Sequence, residues 1–175
     1  MTPTDDRQLP SALAAVAAIT FDYADGEGVD FEPYPAFWSA DETTEWIRAW
    51  TGNRGLTGEE WRVFGMDGTG GQGAFWLTRL NRPLSDQPIV FLGSEGETGA
   101  VARDLHSFLW LLADGMGPYE AINPRQRDRA PRPNPELAAI AERFAPAARQ
   151  SAATVISLAI EEFPAFDEMI KERCR

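Results

Sequence analysis

Residues 61–115 read WRVFGMDGTGGQGAFWLTRLNRPLSDQPIVFLGSEGETGAVARDLHSFLWLLADG, and this stretch decides the fold. Trp61 to Phe64 is a short apolar run, as is Ala74 to Thr78, and the run Gly65 to Gly73 between them holds five glycines. Two strands joined by a glycine-rich connection are expected. Asn81 to Gln87 contains Pro83 and reads as a loop. Pro88 to Leu92 (PIVFL) is apolar at successive positions, so both faces of that strand are expected to be covered, as in the interior of a sheet. Gly93 to Gly99 is a second glycine-rich turn. Val101, Leu105, Phe108, Leu109 and Leu112 then fall at i, i+4, i+7, i+8 and i+11, which predicts an amphipathic helix over 101–112, ended by Gly115.

Toward the N-terminus, Pro10-Ser11 ahead of an Ala-rich run predicts a helix over 11–18, with Ser11 as its cap. Phe21 and Tyr23, the Asp25-Gly26 turn, then Val29 and Phe31 predict a β-hairpin over 21–31, ended by Pro33 and Pro35. Residues 39–50 (SADETTEWIRAW) open with a capping serine and acids, and Trp46 and Trp50 share one helical face at i,i+4. Toward the C-terminus, 117–135 is rich in Pro and Arg and reads as a surface loop. Leu137, Ile140, Ala141 and Phe144 resume helical spacing. Pro146 interrupts it, a second helical stretch runs to Phe163, and Pro164 opens a last short helix. The expected fold is α+β, one domain over 1–175, with a mainly antiparallel sheet and helices packed on it and at both chain ends.

Composition removes many mechanisms. The chain has 175 residues, 43% of them hydrophobic, enough for a core without disulfides. One histidine (His106), one lysine (Lys171) and one cysteine (Cys174) exclude two-histidine metal sites, CxxC zinc sites and a Walker-type lysine. No GxSxG elbow is present, so no nucleophile–base pair involving His106 or Cys174 is expected. The carboxylate pairs Glu95/Glu97 and Glu161/Glu162 read as solvated turn and helix residues. The expectation is a protein with no catalytic residues, no cofactor and no metal. No apolar run reaches the roughly 18 residues needed to span a bilayer. The segment around Ala15-Val16-Ala17 lacks the positive flank of a signal peptide, so a cytoplasmic location is expected.

The net charge is −11, and the first sixty residues alone carry −9. That balance opposes nucleic-acid binding and suits a basic protein partner. Asp22, Asp25, Glu27, Asp30 and Glu32 crowd the predicted 21–31 hairpin and are the candidate partner-binding residues. A glycine turn between a strand and a helix also occurs in nucleotide-binding folds. Gly93, Gly96 and Gly99 give GxxGxxG rather than GxGxxG, and Glu95 and Glu97 in the same turn repel phosphate.

Val63-Phe64-Gly65-Met66-Asp67-Gly68-Thr69-Gly70-Gly71, the strand Ala74-Phe75-Trp76-Leu77, the run Pro88 to Glu97 and the Phe108-Leu109 pair resemble the SUKH superfamily in order and spacing. That superfamily includes fungal cell-wall regulators and bacterial immunity proteins. The resemblance covers about 61–115; Leu9-Pro10 opens an Ala-rich segment unlike the family's usual start, and 136–175 is a helical extension. It implies a non-catalytic interaction module. Its sharpest form is an immunity protein that binds and occludes a cognate toxin, such as a nuclease with a basic cleft. A regulatory scaffold of the same fold, and a small nucleotide-binding protein using the 93–99 turn, are the alternatives.

Overall fold

The computed structural model describes residues 7–175. In chain order the elements are α1 (Ser11–Ala17), β1 (Glu32–Pro33), α2 (Ala40–Thr51), β2 (Trp61–Met66), β3 (Gln72–Trp76), β4 (Ile89–Leu92), β5 (Thr98–Ala102), α3 (Leu105–Ala113), α4 (Pro118–Ile122), α5 (Pro135–Phe144), α6 (Ala152–Glu162) and α7 (Phe166–Arg173). The five strands form one antiparallel sheet in the order β1-β2-β3-β4-β5, so the α+β architecture read from the sequence holds.

Alternation along the strands sends side chains to two cores, one on each face. Phe64, Phe75, Ile89 and Phe91 face the larger, which α1, α3, α5 and α6 complete. Trp61, Val63, Ala74, Val90 and Leu92 face the smaller, closed by Ile47 of α2 and by Phe166 and Ile170 of α7. All four residues of β4 are buried, as the unbroken apolar run requires of an interior strand. Val63 and Phe64 face opposite cores, as successive strand residues do, and the β2–β3 register shifts between Val63 and Gly65. Gly65 is required by close approach: a Cβ there would lie 2.5 Å from Cε1 of Phe31.

β2 runs on to Met66 and β3 resumes at Gln72, so the glycine connection shrinks to Asp67–Gly71. α2 carries a full capping box between Ser39 and Glu42 and ends on Gly52 at φ 68°. The Trp46 and Trp50 rings stack at 5.3 Å, and Trp50 Nε1–H donates to the Gly93 carbonyl at 2.7 Å.

Five expectations need correction. The helix expected from 101 begins at Leu105. Residues 98–102 instead form β5, and Asp104 caps α3 by accepting from Ser107 N–H at 2.7 Å. Val101 shares the helical spacing only by coincidence, because Thr-Gly-Ala-Val-Ala carries little strand signal of its own. The stretch 117–135 is not all surface loop, because α4 packs on β4 and β5 with Glu120 and Ala121 buried. The 21–31 segment is not a two-stranded hairpin. It is a tight loop with a 3₁₀ turn at Ala24–Gly26, where Ala24 and Asp25 hold φ of 47° and 53°. Two bonds close it, Gly28 N–H to Tyr23 O and Val29 N–H to Asp22 O, and then the Asp30 amide turns to a Glu120 carboxylate oxygen rather than across to a partner strand. Finally, Pro10 rather than Ser11 occupies the cap position of α1, and α7 begins at Phe166, two residues beyond Pro164.

Candidate functional site

In this topology the β2–β3 turn (67–71), the β4–β5 turn (93–97) and the start of β1 lie at one end of the sheet, since Met66, Gln72, Leu92 and Thr98 follow one another across the register and Glu32 pairs with Met66. Ser94 Oγ donates to Thr69 Oγ1 at 2.9 Å and ties the two turns together. The 22–32 loop comes to the same end, because Gly68 N–H donates to Asp30 Oδ1 at 2.7 Å.

The glycine-rich turns spend their amides internally. Asp67 is buried, and its Oδ1 accepts from Thr69 N–H at 3.1 Å and from Gly71 N–H at 2.8 Å, while Gly70 N–H donates to the Asp67 carbonyl. In the second turn, Gly93 N–H donates to the Glu97 carbonyl, Gly96 N–H to the Gly93 carbonyl and Glu95 N–H to Glu97 Oε2. That turn leads into a strand, not a helix N-terminus. The phosphate-cradling geometry of a nucleotide-binding turn is therefore missing from 93–99 in this fold.

Behind the acidic loop sits Glu120, 2% exposed, whose Oε1 accepts from Asp30 N–H at 2.8 Å. Its Oε2 is buried with no hydrogen-bond partner among the described residues. Burial pushes this carboxyl up to about 7, against the opposing pull of the Asp30 amide and the Arg129 charge. Arg129 Nη2 donates to the carbonyls of Gly28 (2.9 Å) and Gly115 (2.5 Å), pinning the loop from the other side. Burial also raises the Asp30 carboxyl above its ordinary range, partly offset by the Gly68 amide, with the nearby Asp67 charge adding to the rise.

All five predicted partner-binding residues fall within 22–32, and Asp30 and Glu32 reach this end. Asp22, Asp25, Glu27 and Glu32 are exposed and Asp30 is half-buried. Glu27 is bridged to Arg132 at 2.5 Å, and Asp22 Oδ1 accepts from Ala24 N–H at 2.8 Å. Asp25, Glu32 and Glu95 form no ion pair among the described residues. Sequence reasoning noted Glu95 and Glu97 but did not join them to the 22–32 acids, which only the strand order brings near. It gave no hint of buried Asp67 or Glu120. The aspartate opening a glycine run, free to accept its amides, was the available signal for Asp67.

Two clefts open at this end, on either side of the glycine turn. One, of about 430 Å³, is lined by the apolar residues Ala17, Ile19, Phe21, Val29 and Phe31 together with Asp30, Glu32 and Gly68. The other, of about 440 Å³, lies between Thr69, Glu95 and Glu97 and the side chains of Tyr119 and Ile122.

Elsewhere, His106 is exposed on α3 and Cys174 is exposed near the C-terminus. Glu162 pairs with Arg79 and Arg103. Among the described residues no group of three or more His, Cys, Asp or Glu is placed to hold a metal ion, and no helix is long and apolar enough to cross a membrane. Comparison with protein-family models, with curated proteins and with solved structures finds no match for this chain.

Proposed function

We propose that this protein is a non-catalytic binding module whose acidic sheet end docks a basic protein, and that the partner is a toxin domain it neutralises by occlusion. The observation that carries the reading is the placing of carboxylates in two clefts at one end of the sheet, Asp30 and Glu32 in one and Glu95 and Glu97 in the other. Like charges held close repel each other, and a cationic partner removes that repulsion while the field speeds encounter. The resemblance of 61–115 to the SUKH superfamily supports the immunity form of the reading. A nuclease cleft built to hold phosphates has the complementary charge, and covering it needs no chemistry from this chain.

The test is coexpression with a toxin-like gene adjacent to this one. Protection of the cells, together with a purified complex whose association slows as salt rises, is the expected result. Unprotected cells and no complex at low salt would set the toxin reading aside.

A further inference from the structure

Building on that reading, we propose that the cleft between the end of α1 and residues 29–33 receives an arginine side chain from the basic partner. Its lining is of two kinds. Ile19, Phe21, Val29 and Phe31 offer apolar and aromatic surface, and half-buried Asp30 and exposed Glu32 add carboxylates. An arginine has the matching division: an aliphatic stem that covers apolar surface and a planar cation that stacks on rings and pairs with carboxylates through two N–H groups. The Phe21 and Phe31 rings meet edge to face at 5.1 Å and interplanar 73°, and both line the cleft, where aromatic surface attracts a cation.

The receiving carboxylate is held in place before any partner arrives. Asp30 is fixed at both its backbone and its side chain, with its amide donating to Glu120 and its Oδ1 accepting from Gly68. Of its two carboxylate oxygens, Oδ2 accepts no hydrogen bond among the described residues. Glu32 stands on β1, registered against Met66. A half-buried carboxylate with one uncommitted oxygen, beside a second carboxylate with no ion-pair partner, attracts a guanidinium at little ordering cost. The arginines that reach this loop are already committed, Arg132 to Glu27 and Arg129 to the Gly28 and Gly115 carbonyls.

The probe is a capped Gly-Arg-Gly peptide, compared with Gly-Lys-Gly and with Gly-citrulline-Gly, the neutral isostere, by amide chemical-shift titration at low salt. The arginine peptide is expected to shift the Asp30, Phe31, Glu32 and Gly68 amides saturably. Lysine should bind more weakly and citrulline not at all. Asp30→Asn with Glu32→Gln should weaken arginine binding by about tenfold or more. Because that pair alters loop bonds, Ala17→Phe provides a second arm. It fills the cleft with no change of charge and should also abolish the shifts. Equal shifts from citrulline, shifts confined to the Glu95/Glu97 cleft, or no saturable response would overturn the proposal. If the peptides fail while a cognate protein still binds in a salt-dependent way, the arginine pocket falls and the docking reading stands. If no basic partner exists but the arginine peptide fills the cleft, the reverse holds.

Discussion

Glu120 is the residue whose chemistry is most exposed to test. Its carboxyl is raised from 4.5 to about 7 by burial, so the folded state binds its proton more tightly than the unfolded chain does. The stability this proton contributes is fully present below the ordinary carboxylate range and is lost as pH rises through about 7. Between roughly pH 5 and 8 the wild type should therefore lose on the order of 2–3 kcal/mol at most, since each tenfold gain in proton affinity on folding is worth about 1.4 kcal/mol. Asp30 is raised in the same direction, so its proton likewise stabilises the fold below the ordinary aspartate range and is lost as pH rises, whereas the lowered Asp167 and Glu42 act only at the acid end of the scale. Glu120→Gln should flatten the slope in chemical denaturation across that window. Its absolute stability at pH 6 should not rise, because an amide nitrogen then occupies the site of the orphaned Oε2. The Asp30 amide proton, donating to this carboxyl, should titrate with the same midpoint in the wild type and lose the titration in the variant. An unchanged slope in Glu120→Gln would show that another group carries the pH dependence. The burial of Glu120 was not legible in sequence. It stands in a Pro- and Arg-rich run whose average polarity hides one short helix, and only the docking of α4 on β4 and β5 removes it from water.

Among the elements, the interior strand, the capped α2 and the last three helices could be read because periodicity and capping chemistry acted locally. β5 could not, since its small residues are held in the sheet by pairing with β4 and by α4, α6 and α7 against it, which are long-range contacts. The 21–31 segment misled for a related reason. Its alternation is real on one side, with Val29 and Phe31 buried, but the expected partner strand is replaced by a side-chain acceptor from α4. The placement of α3 between the sheet and α5 and α6 makes it almost wholly buried, more than an amphipathic stripe implies. Leu105→Ala and Leu109→Ala should each cost roughly 2–5 kcal/mol, as large-to-small changes in a packed core do. Melting unchanged in both would contradict the packing of this helix. Ser39→Ala removes one half of the capping box of α2 and should cost about 1 kcal/mol, read as a lowered denaturation midpoint with unchanged slope.

At the scale of the molecule, the net −9 of the first sixty residues was legible as a number but not as a place. Only part of it gathers in one place: Asp22, Asp25, Glu27, Asp30 and Glu32 share the 22–32 loop, and antiparallel order brings Glu95 and Glu97 of the 93–97 turn to the sheet end that Asp30 reaches, whereas Asp41, Glu42 and Glu45 lie on α2 and Glu60 pairs with Arg173. The structure also separates carboxylates that hold the loop from those free to meet a partner. Asp30 and Asp67 accept loop amides and Glu27 holds Arg132, so reversing them would disturb the fold as well as the field. Asp25, Glu32 and Glu95 make no ion pair among the described residues, and the triple change to lysine alters the field, and at Glu32 the arginine pocket, while leaving those loop bonds in place. It should shift unfolding by no more than about 0.5 kcal/mol per site, as exposed substitutions do. Association with a basic cognate partner should slow by about tenfold or more at low salt, since steering depends on the summed potential rather than on one contact. The difference between wild type and variant should shrink as salt rises, because exposed charges are screened beyond about 8 Å at physiological ionic strength. Stopped-flow association across a salt series separates the cases: equal rates at low salt would move the docking surface to another face, and a slowed rate that ignores salt would point to lost contact rather than lost steering.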